Sequence, residues 1–282
     1  MKRVIRINPL LVVVMICSLN SIAWPDTTPQ PPGPLPLIAA GSGANLGITR
    51  LLAAAFVKKH PQITIEAPGS IGTRGAIKAT ADGAITFGLI SRPLQKEETA
   101  MGLSIKPYAR VPIVVATHPS VKDEGITFQE LIEIYKGTKT SWKDGNQIIV
   151  QARGKSESGF LVLQNKIPGF KEAYAESYQA KRWSIYYTDQ AANLAISKTP
   201  NAIGVSDLGM IKAENLNIKI LKINGLLPSP ENLLNGSYPL GRELSFIYRE
   251  KSLPKEAKGF LDFVRADEGR KILKSHGYLP VN

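Results

Sequence analysis

From residue 37 onward, short apolar runs alternate with stretches whose apolar positions recur every three or four residues, and small-residue turns separate them. Leu37 to Ala40 is such a run, Gly41-Ser42-Gly43-Ala44-Asn45 is a turn without bulk, and Ile48, Leu51, Leu52, Ala55 and Phe56 follow at helical spacing. The theme returns at once: Ile63-Thr64-Ile65 alternates like a strand, Gly69 to Gly75 is the turn, and Ala76 to Ala81 continues as helix. It comes a third time where the strand Gln147 to Ala152 runs into Arg153-Gly154-Lys155-Ser156-Glu157-Ser158-Gly159 and a helix follows from Phe160. Val111 to Ala116 is a continuous apolar strand of the kind buried on both faces. Ile185 to Tyr187, Ala202 to Val205, Ile218 to Leu221 and Ser245 to Tyr248 read as further strands. Helices are expected to begin near Gln95, to run from Thr127 to Tyr135 and from Asp189 to Ser197, and to start at Lys255 and Glu268, the last ending at Gly277. Strands alternating with helices predict α/β layers with largely parallel sheets.

The first 23 residues stand apart from this pattern. Lys2, Arg3 and Arg6 precede an apolar run from Leu10 to Cys17, and Ser21-Ile22-Ala23 offers small residues where a signal peptidase cuts. That run is well short of the ~20 residues needed to span a bilayer, and Met15-Ile16 before Cys17 lacks the small residues of a lipoprotein signal. A cleaved secretory signal over residues 1–23 is therefore expected, followed by a proline-rich extended leader over residues 24–36. Removing 23 of 282 residues leaves 259, enough for one large or two modest domains, and takes away three cations, so the formal charge falls from +12 to +9. Cys17 is the single cysteine and leaves with the signal, so the mature chain has neither disulfide nor thiol chemistry.

A basic secreted chain attracts anions. Its lysines and arginines are scattered, with no run longer than Lys58-Lys59 or Lys181-Arg182 and no DNA- or RNA-binding motif, so nucleic acid is not an expected partner. The turns make the case for a small anion. Each feeds a helix start, where unpaired N–H groups and a partial positive charge accept an anion that small residues let come close. The plainer reading is that Ser42, Asn45 and Thr73 only cap helices. Arg153, at a strand end, offers a planar fork to an oxyanion, against the plainer reading of a surface ion pair. Gly154-Lys155-Ser156 is not a nucleotide phosphate loop, because position 149 is Ile rather than Gly. His60, His118 and His276 stand singly, away from patterned carboxylates, so no metal site and no cofactor is expected. No serine sits in a GxSxG elbow, and an enzyme is not the reading.

The order GSGAN, GTRGAIKA and FGLISRPL, with NAIGVSDLGMI and SYPLGRELSFIYREKSLPKEAKGFLDFVRADEGRKILKSHGYLPV later, resembles the phosphate-binding proteins that feed bacterial ABC transporters, over roughly residues 37 to 282. The resemblance implies a two-lobed periplasmic-binding-protein fold, each lobe a mostly parallel sheet flanked by helices, joined by two crossover strands. Lobe 1 would be residues 37–112 plus 240–282, and lobe 2 residues 113–239. It implies a monomeric periplasmic protein that holds phosphate or a related tetrahedral oxyanion in the cleft and hands it to a permease. The implied ligand residues are Ala44 and Asn45 through backbone N–H groups and the Asn45 amide, Thr73 in the second loop, Ser91 and Arg92 in the third, and Arg153, Ser158 and Gly159 from lobe 2. Two departures stand out. In the RxxxSGT loop of the family, Arg153 is one residue too far from Ser158, so either the loop is longer or Ser156 takes the serine role, and Phe160 replaces the threonine. In the third loop many relatives carry an aspartate that accepts a proton from monohydrogen phosphate, whereas this chain has Ser91, with Arg92 either on the ligand or paired with Glu97 or Glu98. The weakened loop also motivates an alternative, a surface adhesin or sensor on the same fold.

Overall fold

The computed structural model describes residues 35–281, so the expected secretion signal and all but the last two residues of the proline-rich leader lie outside the described residues. β1 (Leu37–Gly41) leads through Ser42 into α1 (Gly43–Lys59), followed by β2 (Ile65–Glu66), α2 (Gly72–Ala81), β3 (Phe87–Ile90) and α3 (Lys96–Thr99). The long strand β4 (Ser104–Thr117) then carries the chain to a second group of elements. These are β5 (Gly125–Ile126), α4 (Phe128–Lys136), β6 (Ile149–Arg153), α5 (Ser158–Lys166), α6 (Phe170–Gln179), β7 (Ser184–Tyr186), α7 (Asp189–Lys198), β8 (Ala202–Asp207), α8 (Leu208–Ala213), β9 (Lys219–Ile220), β10 (Lys222–Ile223) and α9 (Pro230–Leu234). β11 (Gly241–Tyr248) returns to the first group, which α10 (Lys255–Arg265), α11 (Asp267–Ser275) and β12 (Leu279–Pro280) complete.

One sheet runs β2-β1-β3-β11-β4-β8-β6-β7, with β9 and β12 also on β4, while β5 and β10 form a separate pair. Pairing is parallel on both flanks, β2-β1-β3 and β8-β6-β7, and antiparallel through the middle. β4 is shared: Ser104 to Pro112 pairs with β11, and Ile113 to Thr117 pairs with β8. The apolar side chains gather accordingly into two principal cores. One draws Leu52 and Phe56 from α1, Phe87 from β3, Phe246 from β11 and Phe260 from α10; the other draws Ile113 and Val115 from β4, Leu131 and Ile134 from α4, Phe160 from α5 and Ile203 from β8. The molecule is two-lobed, with two strands crossing between the lobes.

Local chemistry accounts for the element ends that shape the site. Gly41 closes β1 against β3 so tightly that a Cβ there would lie 2.1 Å from the Leu89 carbonyl oxygen, which only glycine tolerates. In α4 the Thr127 hydroxyl accepts from Glu130 N–H while the Glu130 carboxylate accepts from Thr127 N–H, a reciprocal cap, and Gly137 ends the helix at φ 85°.

Several elements differ from the pattern-based expectation. The strand read at residues 63–65 is only Ile65–Glu66, because the Ile63 N–H turns back to the His60 carbonyl. The strand read at residues 218–221 is only Lys219–Ile220, which joins β4, and β10 after it leaves to pair with β5. The second and third turns are shorter than read, since α2 opens at Gly72 and α5 at Ser158, which puts Thr73, Arg74 and Ser158 inside first helical turns. α6 and α8 had no counterpart in the periodicity. The inward positions of α6 are the mixed set Phe170, Ala173, Tyr174 and Ser177, and α8 buries four successive residues, Leu208 to Ile211.

Phe246 is the aromatic hub of the first core, its ring 4.6 Å from Tyr108, 5.8 Å from Phe87 and 5.9 Å from Phe260. Phe246→Ala is expected to cost about 3–5 kcal/mol of unfolding free energy, measured by urea denaturation.

Candidate functional site

Between the two groups of elements lies a cavity of about 200 Å³, bordered by helix starts from both sides. Ser42 and Gly43 bring the start of α1, Gly72, Thr73 and Arg74 that of α2, Glu157 and Ser158 that of α5, and Asp189 that of α7. Each helix follows a strand of the sheet: parallel pairing within each flank sets the start of α1 beside that of α2 and the start of α5 beside that of α7, and the antiparallel middle turns the two pairs toward each other. Unpaired N–H groups and the positive ends of several helix dipoles therefore face a common volume.

On the wall and just behind it, hydroxyls form a chain across the cleft. Ser42 Oγ lies 2.8 Å from Ser91 Oγ, Ser91 Oγ lies 2.7 Å from Ser158 Oγ, and Thr73 Oγ1 lies 3.5 Å from Ser91 Oγ. Ser91 and Ser158 belong to opposite sides of the crossing strands, so their contact ties the two together. Gln190 adds a second tie, its Nε2 donating to the Gly43 carbonyl at 3.2 Å. Gly43 has room for no side chain, because a Cβ would meet the Asp189 carboxylate at 2.6 Å.

The charges form one buried cluster. Arg153, at the end of β6 and 2% exposed, places Nη2 3.3 Å from Asp189 Oδ1 and 4.0 Å from Glu157 Oε1, while its Nη1 has no hydrogen-bond partner among the described residues. Arg242, from β11, donates to Glu157 Oε1 at 2.8 Å, to Ser158 Oγ and to Asp207 Oδ2, and lies 3.6 Å from Asp189 Oδ1. Glu157 also caps α5, accepting from the Gly159 and Phe160 N–H groups. Burial pushes the Glu157 carboxyl up, but Arg242, Arg153 and these two N–H donors outweigh it and hold it down at about 2. At Asp207 burial prevails and pushes the carboxyl up to about 6 although Arg242 donates to it, with Asp189 and Glu157 adding repulsion. For Arg242, burial is overcome by Asp207, Glu157 and Asp189, which raise its affinity for its proton.

A family model described as a PBP superfamily domain matches residues 26–268. The chain belongs to the PBP superfamily. Among its relatives, the phosphate-binding protein PstS of Borreliella burgdorferi is 26% identical over 235 residues, covering 80% of this chain and 82% of that protein. PstS of Bacillus subtilis is 23% identical over 252 residues, 87% of this chain and 80% of that one. A solved structure from Clostridium perfringens, described as a phosphate ABC transporter substrate-binding protein with bound phosphate, superposes with a TM-score of 0.76 at 25% identity, covering 88% of this chain and 100% of that one.

The expected ligand residues of this PBP superfamily member fall into three groups. Thr73, Arg92, Arg153 and Ser158 line the cavity, and Ser91 stands one hydrogen bond behind it. Arg92 also makes the ion pair, with Glu98 rather than Glu97, both contacts at 2.7 Å, and its hydrogen bond holds the Glu98 carboxyl below the usual range. Ala44, Asn45 and Gly159 are not on the wall. The Asn45 amide is a correction: it donates inward to the Ile90 carbonyl at 3.3 Å and to Tyr108 Oη at 3.0 Å, because the side chain of a residue in the first turn of α1 points under the sheet edge. The Asn45 N–H is likewise taken, by the Ser42 carbonyl at 3.1 Å, and Gly43 rather than Ala44 reaches the cavity. Ser156 and Ser158 both reach the wall, but it is Ser158 that joins the hydroxyl chain. Phe160, at the family's threonine position, is fully buried in the second core.

Sequence reasoning missed Glu157, Asp189, Asp207 and Arg242. For Arg242 a signal existed: it is in step with Leu244 on the buried face of a strand, a charge in an apolar alternation. Because the folded Glu157 pKa lies below the ordinary carboxylate value, its stabilisation is complete above about pH 5 and is lost as pH falls toward 2. The stability difference between the protein and Glu157→Gln is thus expected to be on the order of 3 kcal/mol near pH 7 and to shrink below pH 4, read by urea unfolding across pH.

Proposed function

We propose that the protein is an extracytoplasmic binding protein that captures phosphate, or a related tetrahedral oxyanion, between its lobes and passes it to an ABC permease. One observation carries this reading: hydroxyls and a buried guanidinium from both sides of the crossing strands converge, with several helix starts, on a single small cavity. Such a site supplies N–H and O–H donors and positive charge to every side of an oxyanion. The phosphate held by the Clostridium perfringens neighbour supports the same ligand class. Residues 37–112 with 240–282 act as one lobe and residues 113–239 as the other, with β4 and β11 as the hinge. A ligand touched by both lobes favours the closed arrangement. The protein works as a monomer in the periplasm once its signal is removed, and binds its ligand without turning it over.

A second reading, an adhesin or sensor with a weakened cleft, draws on the pairing of Arg153 with Asp189 and Glu157, which offsets charge an anion would use. The two part in a deletion strain: loss of phosphate uptake supports transport, whereas lost adhesion or signalling with normal uptake supports the alternative.

Titration calorimetry with thermal shift should detect phosphate, and no response to phosphate, arsenate, sulfate or tungstate sinks the oxyanion reading. Arg153→Ala is expected to weaken phosphate binding about 100-fold, or about 3 kcal/mol, through loss of a charged donor in a desolvated site, and unchanged affinity would assign the role to another cation. Selectivity should be modest. Ser91 can donate as well as accept and so does not repel a fully ionised anion, while both cavity carboxylates are turned onto arginines. Sulfate in large excess is expected to displace phosphate at fixed ionic strength, and failure to do so contradicts the role given to Ser91.

A further inference from the structure

Arg242 does not border the cavity, yet it touches the one hydroxyl that joins the two sides of the cleft. A guanidinium donates only, so Ser158 Oγ must accept from Arg242 Nη1 and its single proton must go elsewhere. Two acceptors are in range: Ser91 Oγ at 2.7 Å and Glu157 Oε1 at 3.2 Å, and the latter already accepts from Arg242 at 2.8 Å. The shorter contact and the less occupied acceptor both favour Ser91. With Ser158 donating to it, Ser91 gives its own proton onward to Ser42 at 2.8 Å, and Ser42, on the cavity wall, is left to donate into the cleft. In the opposite polarity Ser158 donates to Glu157, Ser91 donates to Ser158 and Ser42 donates to Ser91, so Ser42 turns lone pairs rather than a proton toward the incoming anion.

We infer that Arg242 is a positioning residue of the oxyanion site, fixing the direction of the Ser158, Ser91 and Ser42 hydrogen-bond chain so that it donates toward the ligand. The inference rests on the oxyanion reading. Arg242 is suited to the part by its place on β11: the planar fork reaches Glu157, Ser158 and Asp207 together, so three elements of the second lobe, α5, β8 and the loop before α5, are set against a crossing strand. Hydrogen bonds in such a chain polarise one another, so a donor at its buried end is felt at its exposed end.

The test is a double-mutant cycle on phosphate affinity by calorimetry, with the full mature chain and circular dichroism to confirm folding. Arg242→Lys keeps the charge but loses the fork. It is expected to weaken phosphate at least 10-fold in the native background and less than twofold in Ser158→Ala, because the hydroxyl it acts through is gone. An equal loss in both backgrounds overturns the inference and leaves Arg242 a structural or general electrostatic residue. If Arg242→Lys does not fold, Arg242→Gln combined with Asp207→Asn removes one charge of each sign, keeps the buried balance, and is run through the same cycle with the same two outcomes. Absence of phosphate binding by the native protein is a different result, and overturns the oxyanion reading instead.

Discussion

The pairing of β4 with β11 is the constraint on which the rest of the molecule depends. β4 is 14 residues long, about 45 Å at ordinary strand rise, and it lends one half to each core. The antiparallel ladder holds Gly241 opposite Pro112 and Tyr248 opposite Ser104, so the register of the return strand is fixed across the whole first half of β4, apart from a shift between Leu244 and Ser245. Two consequences follow. The flanking parallel strands on either side present their carboxyl ends, and the helix starts after them, to the same gap. Each core is built on its own half of β4.

Into that gap the fold places charges that need one another. Arg153 and Arg242 share Glu157 and Asp189, and Arg242 alone reaches Asp207. Buried ions are tolerable only when paired and hydrogen-bonded, and removal of one partner leaves its neighbour exposed to the full desolvation cost. The cluster therefore acts as a unit, and its opposite pKa displacements show how: the guanidiniums dominate at Glu157, where backbone N–H groups help, and burial dominates at Asp207, which lies deepest. On the proposed function, an oxyanion that approaches Arg153 would share it with Asp189, an internal carboxylate 3.3 Å away.

The hydroxyl chain is the complement of that cluster. Ser42 precedes α1, Ser91 follows β3 and Ser158 opens α5; none carries a charge, so they can bond each other at little cost. The contact between Ser91 and Ser158 holds the two sides of the cleft together.

Much of this was legible in the chain itself. Apolar periodicity located the strands at 37–40 and 147–152 that lead into the site, the small residues at 41–45 and 69–75 marked the helix starts that face it, and Arg153, singled out at a strand end, stands on the cavity wall. Those features are local: they depend on spacing, turn chemistry and residue size within a dozen positions. What tertiary structure alone decided is which of them meet. Asn45 looked like a ligand and turns inward, because the packing of α1 rather than its sequence sets that direction. Asp189 read as the start of a helix and Arg242 fell outside the strand read at 245–248, yet they stand 3.6 Å apart because β11 crosses between the lobes and α7 begins beside it. Sequence fixes the charge of a side chain and the element that carries it; its partner is set by long-range pairing, which no local pattern records.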